Sequence, residues 1–259
     1  MTSSGPTVSV IMPLYNSAPF MEASIRSVLN QTFADFELLL IDDCSTDDTL
    51  TVAETLAEED TRIRVIAQPK NVGACATRNT GISAAQGRYI AFLDSDDKWK
   101  EEKLSIQLAA MRGKNAAFSY TDYVVIDEQG TVVRLNPTPE TMDYRGLMKN
   151  TVIGCSKVVY DSERLGKRYF PLIRKHEDLA LWLSILREID HAHRCGPTLT
   201  LYRVHPGSLS ANKFKAASYT WVIYRRIEGL SVPAAAYYFA HYALSAVRRR
   251  LFSKSGFSA

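Results

Sequence analysis

The first hundred residues contain three short apolar runs, and each run is followed directly by side chains able to bind a ligand. The runs Val8–Met12, Phe36–Ile41 and Arg88–Leu93 have the composition of buried strands. The residues that follow them are Pro13 and Tyr15, Asp42 and Asp43, and Asp94, Asp96 and Asp97. Because parallel α/β sheets bind ligands beyond the carboxyl ends of their strands, this pattern predicts a binding site at one edge of a sheet.

Helix signals separate these strands. Asn16 or Ser17 is a candidate N-cap with Pro19 close behind it, and Ser45–Asp48 has the form of a capping box. Residues 73–86 are predicted to be helical. Arg64–Ala67 is predicted to be a further short strand, the third in chain order. Strands and helices that alternate with short connections predict an α/β fold with a mainly parallel central sheet and flanking helices.

The pattern changes after about residue 114. Strands are predicted at Ala116–Tyr120, Val124–Ile126, Thr131–Val133, Val152–Tyr160 and Leu199–Arg203, and an apolar helix at Leu179–Leu186. Helices fill most of the chain beyond residue 210. We therefore expect one mixed α/β domain to about residue 210, followed by a C-terminal helical extension.

Composition and charge limit the class of protein. The chain has 259 residues, 46% of them hydrophobic, and a formal net charge of +3, which excludes a disordered or fibrous protein. The charge is uneven, since residues 211–259 carry eight Lys and Arg against the single Glu228, and the remainder is slightly acidic. A total charge so close to zero argues against a nucleic-acid partner.

The chain lacks the signals of a metal-stapled, secreted or membrane-spanning protein. Its four cysteines are widely spaced, which favours reduced thiols over a zinc site or a disulfide framework. The first seven residues do not form a signal peptide. The long uncharged run Leu230–Val247 contains Pro233 and His241, so we predict no transmembrane segment.

The acidic cluster Asp94-Ser95-Asp96-Asp97 carries the most specific chemistry. Adjacent carboxylates disfavour one another's charge unless a cation compensates, and oxygen ligands suit Mg²⁺ or Mn²⁺ together with phosphate oxygens. A solvated turn before a helix at Lys98 fits the cluster equally well. A phosphatase-like site needs Thr or Val where Asp97 stands, and a receiver-like pocket needs a phospho-acceptor and a late lysine that we do not find.

Several segments in register resemble the successive motifs of family-2 inverting glycosyltransferases. They are Val8–Asn16, Ser27–Phe33, Leu40–Thr49, Asn71–Gly73 with Arg78–Asn79, and Phe92–Asp97. The resemblance covers residues 7–210 and implies a Rossmann-like GT-A fold that binds a nucleotide-sugar, usually a UDP-sugar, with Mn²⁺ or Mg²⁺. It divides the chain into a nucleotide-sugar-binding half (1–113), an acceptor-binding and catalytic half (114–210) and a basic amphipathic tail (211–259).

The resemblance also implies roles for the residues of the first half. Pro13, Tyr15 and Asn16 would line the base pocket, with Tyr15 stacking on the base. Asp43, in preference to Asp42, would accept a hydrogen bond from the uracil imide. The segment holding Asn71, Gly73 and Arg78 borders the nucleotide, where Arg78 steadies the pyrophosphate or orients the acidic loop. Asp94 and Ser95 would contact the ribose or order that loop, and Asp96 with Asp97 would face the metal.

In the second half, His176-Glu177-Asp178 resembles the ED motif of the family, whose aspartate is the general base. The resemblance assigns Asp178 as the base and Glu177 as its positioning neighbour, although an acidic helix start is also favoured by the helix dipole alone. Residues 202–210 resemble the YRxHxxSxS signature of many bacterial members. It implies that Arg203 and Ser208 reach the diphosphate, and that His205 completes the metal or diphosphate site.

The resemblance favours bacterial surface-polysaccharide assembly of the O-antigen, capsule or teichuronic acid type. The expected reaction moves a hexose, glucose or galactose, from a UDP-sugar to an undecaprenyl-diphosphate-linked saccharide. The alternatives are a polyprenyl-phosphate sugar synthase and a non-catalytic nucleotide-sugar-binding module. Aromatic and basic residues in 234–254 suit a membrane surface, the catalytic domain or a homodimer partner equally. We expect a cytoplasmic enzyme at the inner face of the cytoplasmic membrane.

Overall fold

The computed structural model describes residues 5–173, 176–205 and 213–252. Strands and helices alternate in the first half of the chain. The elements are β1 (Val8–Leu14), α1 (Ala18–Leu29), β2 (Phe36–Asp42), α2 (Thr49–Glu59), β3 (Ile63–Ala67), α3 (Ala74–Ala84) and β4 (Tyr89–Phe92). These four strands pair in parallel in the order β3-β2-β1-β4, so the predicted sheet edge exists.

Both faces of this sheet are covered, because alternate side chains of a strand point to opposite sides. On β2, Leu38 and Leu40 pack in the cluster that includes residues of α1 and α2. Leu39 and Ile41 pack in the other cluster with Ile82 of α3. A Cβ on Gly81 of α3 would lie 2.5 Å from Ile11 Cγ2, so the helix approaches β1 closely only because residue 81 is glycine.

The second half continues the same sheet. Its elements are β5 (Lys98–Trp99), α4 (Lys103–Gly113), β6 (Phe118–Ile126), β7 (Val132–Asn136), β8 (Thr141–Met142), α5 (Tyr144–Lys149), β9 (Val159–Asp161), α6 (Ser162–Leu165), α7 (Glu177–Leu186) and β10 (Ala192–Arg203). β9 lies antiparallel between β4 and β6, and β10 runs parallel to β6. The predicted mixed α/β sheet flanked by helices is confirmed, whereas the boundaries at residues 113 and 210 stay a prediction.

Several local predictions were wrong. The two strands predicted at residues 116–126 form one strand, β6. Of the strand predicted at Val152–Tyr160 only the end is extended, because Val152 and Ile153 are buried in irregular backbone and Cys155–Lys157 forms a 3₁₀ turn. The capping box at residues 45–48 does not form: the N-cap of α2 is Asp48, and the Ser45 N–H donates to Asp42 Oδ2 at 3.1 Å.

The C-terminal helices pack on the domain. They are α8 (Lys213–Val222), a π-helical turn (Ile223–Ile227) and α9 (Val232–Phe252). The Tyr224 hydroxyl donates to the Met148 carbonyl, and Ser245 Oγ donates to the Lys149 carbonyl at 3.2 Å. Within the described ranges, no helix has both the length and the hydropathy needed to cross a bilayer.

Candidate active site

The acidic loop follows β4 at the centre of the sheet edge. Asp97 is fully buried and anchors this loop to the second half of the domain. Its Oδ2 accepts a hydrogen bond from Ser156 Oγ at 2.5 Å, and its Oδ1 accepts one from the Arg203 N–H at 2.9 Å. Ser156 Oγ also accepts from the Asp94 N–H at 3.1 Å. Burial and the charges of Asp96 and Asp94 raise the pKa of the Asp97 carboxyl well above its usual range.

Asp96, in contrast, faces His205. The distance from Asp96 Oδ2 to His205 Nε2 is 3.2 Å, and the imidazole packs at 4.9 Å from the ring centroid of Phe20. Burial and the neighbouring charge of Asp94 raise the pKa of the Asp96 carboxyl. A cation close to Asp96 would offset that cost, because an opposite charge favours the ionised carboxylate.

Arg203 holds this loop by main-chain contacts. Its Nε donates to the Asp96 carbonyl at 2.8 Å, and its Nη1 donates to the carbonyls of Asp127 and Glu128 at 3.0 and 2.6 Å. The guanidinium also lies 5.1 Å from the ring centroid of Phe20. The structure therefore places the predicted diphosphate residues Arg203 and His205 against the acidic loop, while the predicted Ser208 lies outside the described residues.

Serine side chains join the loops after β1, β2 and β4. Ser17 Oγ lies 2.9 Å from Ser95 Oγ, and Ser24 Oγ donates to the Ser95 carbonyl at 2.8 Å. The Asn16 N–H donates to Ser45 Oγ at 3.0 Å. Tyr15, which directly follows β1 and its Pro13, is 52% exposed, which leaves its ring available for stacking. The polar residues expected at three strand ends thus come together at one edge.

Asp42 and Asp43 are both buried but have different partners. The two carboxylate oxygens of Asp43 accept the N–H groups of Val72 and Gly73, each at 2.8 Å, and Asn71 Nδ2 donates to the Asp43 carbonyl at 3.1 Å. Gly73 has φ +85°, a conformation that favours glycine, and it precedes α3. Within the described part of the chain, Asp42 Oδ1 is a buried acceptor that lacks a hydrogen-bond donor.

Arg78 connects the acidic loop to Glu177, the neighbour of the predicted base Asp178. Its side chain, only 9% exposed, donates from Nη2 to Asp94 Oδ1 at 2.6 Å and from Nη1 to Glu177 Oε1 at 3.1 Å. Its Cζ lies 5.5 Å from the ring centroid of Phe170. Of the two roles expected for Arg78, this geometry matches orientation of the acidic loop.

Glu177 and Asp178 begin α7, as the acidic motif before Leu179–Leu186 indicated. Asp178 is half-buried, and its Oδ1 accepts the Leu179 N–H at 2.8 Å. Burial and the adjacent Asp178 raise the pKa of Glu177, and Arg78 opposes that rise. The apolar residues of α7, including the fully buried Trp182, fix the helix in the core, so its first turn is held rigidly at the site.

The sequence interpretation missed Ser156 as a site residue. Ser156 belongs to the Asn150–Ser156 segment, whose residue types carry no functional pattern. Its carbonyl accepts from Trp99 Nε1 at 2.8 Å, and its hydroxyl contacts both ends of the acidic loop. No local signal in the sequence predicts this role, because the partners lie about 60 residues earlier in the chain.

The donor set was tested for its fit to the expected divalent metal. In residues 5–173, 176–205 and 213–252, no three His, Cys, Asp or Glu side chains form a cluster able to hold a metal by themselves. Asp96 and His205 supply a carboxylate oxygen and an imidazole nitrogen within 3.2 Å of each other. The Asp96 carboxylate fits Mn²⁺ or Mg²⁺ when phosphate oxygens and water complete the shell, which is how Mg²⁺ is usually bound in nucleotide sites, and the imidazole nitrogen suits Mn²⁺ better than Mg²⁺.

The fold is of the GT-A type, and loops from both halves of the domain meet at one edge of its sheet. The parallel half ends in an acidic loop, and the second half brings an acidic helix start to the same edge. The chain belongs to glycosyl transferase family 2, whose family model matches residues 9–169. It is therefore a glycosyltransferase.

Named relatives and a solved structure agree with this assignment. The chain is 43% identical to the putative teichuronic acid biosynthesis glycosyltransferase TuaG of Bacillus subtilis, over 97% of this chain and 100% of that one. It is 42% identical to WfgD of Escherichia coli, a UDP-Glc:α-D-GlcNAc-diphosphoundecaprenol β-1,3-glucosyltransferase, over 83% of each chain. The structure of S. aureus TarS 1–349 with UDP-GlcNAc superimposes with a TM-score of 0.69 at 19% identity, over 96% of this chain and 74% of that one, and shows the fold.

Proposed function

We propose that this glycosyltransferase acts in bacterial surface polysaccharide assembly. It transfers a hexose, glucose in the first instance, from a UDP-sugar to a hydroxyl of an undecaprenyl-diphosphate-linked saccharide, with inversion at the anomeric carbon. The names of TuaG and WfgD support the pathway, the UDP-glucose donor and the lipid-linked acceptor. We place the reaction at the inner face of the cytoplasmic membrane, where a nucleotide-sugar and a lipid-linked acceptor meet.

The bridge formed by Arg78 is the observation that carries the catalytic part of this proposal. One buried guanidinium contacts Asp94 in the acidic loop and Glu177 in α7. The acidic loop and α7 are therefore held in a fixed position relative to each other. Asp178 follows Glu177 directly in the first turn of α7 and is half-buried. The Asp178 carboxylate, on a helix that is held next to the acidic loop, is suited to act as a general base.

The reaction is a single in-line displacement. Asp178 accepts the proton of the acceptor hydroxyl as that oxygen forms a bond to the anomeric carbon. The bond from this carbon to the diphosphate oxygen breaks on the opposite face, and the nucleoside diphosphate leaves with the electron pair. Glu177 stays paired with Arg78 and positions the helix, so the two acidic residues of the motif have different tasks.

The donor-side residues divide between binding and support. Pro13 near the end of β1, and Tyr15 and Asn16 directly after that strand, are proposed to line the base pocket, and Tyr15 has an exposed ring for stacking. Asp43 is proposed as the acceptor for the uracil imide, and the open Oδ1 of Asp42 supports a contribution from that residue as well. The N–H bonds of Val72 and Gly73 to Asp43 keep its carboxylate in place.

Asp96 and His205 are proposed to hold the divalent metal, with Asp97 as the anchor behind them. Asp97 supports Asp96 from the buried side, since both its oxygens accept protein hydrogen bonds. The chemistry that a bound Mn²⁺ or Mg²⁺ supplies is neutralisation of the charge on the departing diphosphate. Arg203, and Ser208 on the same segment, are proposed to complete the diphosphate side.

The test compares Asp178→Asn with wild type, using UDP-glucose, Mn²⁺ and an α-GlcNAc-diphosphoryl lipid as acceptor. We expect turnover to fall by at least about a hundredfold while UDP-glucose still raises the unfolding midpoint, because general-base loss leaves donor binding intact. Asp190→Asn, at an exposed position outside the site, is the matched control and keeps activity. Unchanged turnover in Asp178→Asn would remove the base assignment.

The stereochemistry of the product tests the mechanism separately. UDP-glucose carries an α-linked sugar, so a single displacement gives a β-linked product, which proton NMR identifies by the coupling at the anomeric position. An α-linked product would contradict the inverting mechanism. A panel of UDP-, GDP-, TDP- and CMP-sugars, each with Mn²⁺ and with EDTA, tests the donor: a shift of the unfolding midpoint with a non-UDP sugar alone would overturn the choice of UDP.

A further inference from the structure

The last helix, α9, has an apolar face that faces solvent. The exposed residues follow the period of a helix and form one stripe along it, and they are Pro233, Ala236, Tyr237, Ala240, Ala243, Leu244 and Val247. Tyr237, Leu244 and Val247 are each about half exposed, at 51%, 48% and 51%. At a rise of about 1.5 Å per residue the stripe is roughly 20 Å long, and it contains no charged or amide side chain.

The opposite face of α9 packs on the domain. Ala235 is fully buried, and Tyr238 and Phe239 lie against the core. The Phe239 ring centroid is 5.6 Å from that of Trp221, and Ser245 is hydrogen-bonded to the backbone of α5. The orientation of the helix is therefore fixed, and the apolar stripe faces solvent because the opposite face packs on the domain.

The charges near the apolar stripe indicate which kind of partner it is suited to bind. Glu228 is the last acidic residue of the sequence, and the 31 residues after it contain Arg248, Arg249, Arg250 and Lys254. The three arginines occupy consecutive positions of α9 directly after the stripe. Apolar side chains followed by a run of arginines match a bilayer surface that offers acyl chains and anionic headgroups together.

We propose that α9 lies on an anionic lipid bilayer, with the stripe from Pro233 to Val247 inserted at the level of the headgroups. Tyr237 lies near one end of the stripe, where an aromatic ring with a hydroxyl suits the interface, and the arginines meet lipid phosphates at the other end. This inference goes beyond the proposed reaction, because it concerns how the protein reaches a surface and uses none of the site residues.

A second copy of this chain is a poorer match to the same face. Two α9 helices packed through their stripes would bring two sets of three arginines to the interface. α9 contains no Asp or Glu, so these arginines would have no acidic partner on the opposing helix. A bilayer containing phosphatidylglycerol supplies the missing negative charge, and burial of the arginine stems favours it further.

The experiment measures binding of the full chain to vesicles, with no donor or acceptor sugar present, so its result is separate from that of the activity assay. Flotation is compared for phosphatidylcholine vesicles and for vesicles containing about one-third phosphatidylglycerol. We expect binding only to the anionic vesicles, with weakening in high salt. Absence of binding to the anionic vesicles would overturn the proposal.

Two variants separate the apolar and the charged contributions. Leu244→Glu with Val247→Glu is expected to lower the vesicle partition coefficient by at least about tenfold, since two apolar side chains are replaced by charges that anionic lipid repels. Replacement of Arg248, Arg249 and Arg250 by Gln is expected to lower it about a hundredfold, at about fivefold for each charge. Both sets leave the catalytic site untouched.

The matched control carries the same change of charge elsewhere. Val133→Glu with Leu135→Glu replaces two half-exposed apolar residues of β7, and it is expected to bind anionic vesicles about as well as wild type. Equal loss in the control would refute a specific role for α9. A dimer that dissociates in Leu244→Glu/Val247→Glu, without vesicle binding by wild type, would assign the face to a second copy and overturn the lipid assignment. The unfolding midpoint confirms that each variant is folded.

Discussion

Arg78 offers the sharpest test of how the two halves of the site are coupled. Replacement by Met removes the only guanidinium that contacts both Asp94 and Glu177 among the described residues, and it preserves most of the buried side-chain volume. Among the described residues, the two carboxylates then lose the guanidinium that pairs with both of them. Replacement by Lys keeps the charge but loses the planar fork, so one ammonium cannot satisfy two carboxylates in the same geometry.

The burial of the three side chains sets the magnitude. The Arg78 side chain is 9% exposed, and those of Glu177 and Asp94 are 17% and 31% exposed. Breaking a buried ion pair by removing one partner costs about 3–5 kcal/mol, and the partial exposure of Asp94 places Arg78→Met near the lower end. Arg78→Lys loses one charge-assisted hydrogen bond, so we expect a loss of about 1.5–3 kcal/mol.

Urea unfolding of wild type, Arg78→Lys and Arg78→Met measures these losses, and Arg112→Lys, at an exposed position of α4, is the control for the chemical change. A double-mutant cycle with Glu177→Gln isolates the pair, with an expected coupling energy of about 1–3 kcal/mol. Activity is expected to fall more steeply than stability. This is because loss of the Arg78 bridge lets the acidic loop shift relative to Asp178, and a shift of about 1 Å lowers kcat/KM by about a hundredfold.

If Arg78→Lys unfolds at the same urea concentration as Arg112→Lys and keeps wild-type kcat/KM, the bridge neither stabilises the fold nor sets the register of the site. Loss of stability in the absence of any change in kcat/KM would limit Arg78 to a structural role. A coupling energy to Glu177 close to zero would show that the two side chains are neighbours without interacting.

Three further predictions concern Ser156, Lys103 and His205. Ser156→Ala removes the donor to the Asp97 carboxylate and is expected to cost about 1–3 kcal/mol in urea unfolding, against little change for the exposed Ser184→Ala; equal effects would contradict the anchor role. Burial lowers the pKa of Lys103 from 10.5 to about 7, so between these values the unfolded chain holds more protons and wild-type stability rises with pH. Lys103→Met is therefore expected to stabilise the protein most at about pH 7 and below, and progressively less as the pH rises towards about 9. Urea unfolding across that range measures this gain, and a gain independent of pH would contradict burial of the Lys103 charge as its cause. His205→Ala is expected to abolish the Mn²⁺-dependent part of the rise in unfolding midpoint caused by UDP, with the exposed His191→Ala as control, and an unchanged Mn²⁺ dependence would remove His205 from the metal site.

The local elements of the donor half were predictable from the sequence. β1, β2 and β4 each consist of residues whose side chains are buried on both faces, so a continuous apolar run reports the strand directly. Carboxylates at strand ends and an acidic motif before an apolar run are similarly local signals, and α7 begins where that motif stands. The expected strand at Val152–Tyr160 failed because the same apolar composition also suits buried irregular backbone.

Only the tertiary structure separates residues that are alike in sequence. Asp96 and Asp97 are adjacent carboxylates, yet one faces His205 and the other is buried against Ser156 and the Arg203 N–H at the end of β10, because contacts from more than 50 residues away select their directions. The two faces of α9 are settled in the same way, since packing on α5 and the π-helical turn decides which side remains exposed. Residue types and their spacing determine which segments fold and what chemistry they carry, because those signals act over a few residues. Which side chain meets which is decided by long-range packing, because that depends on partners the local sequence does not contain.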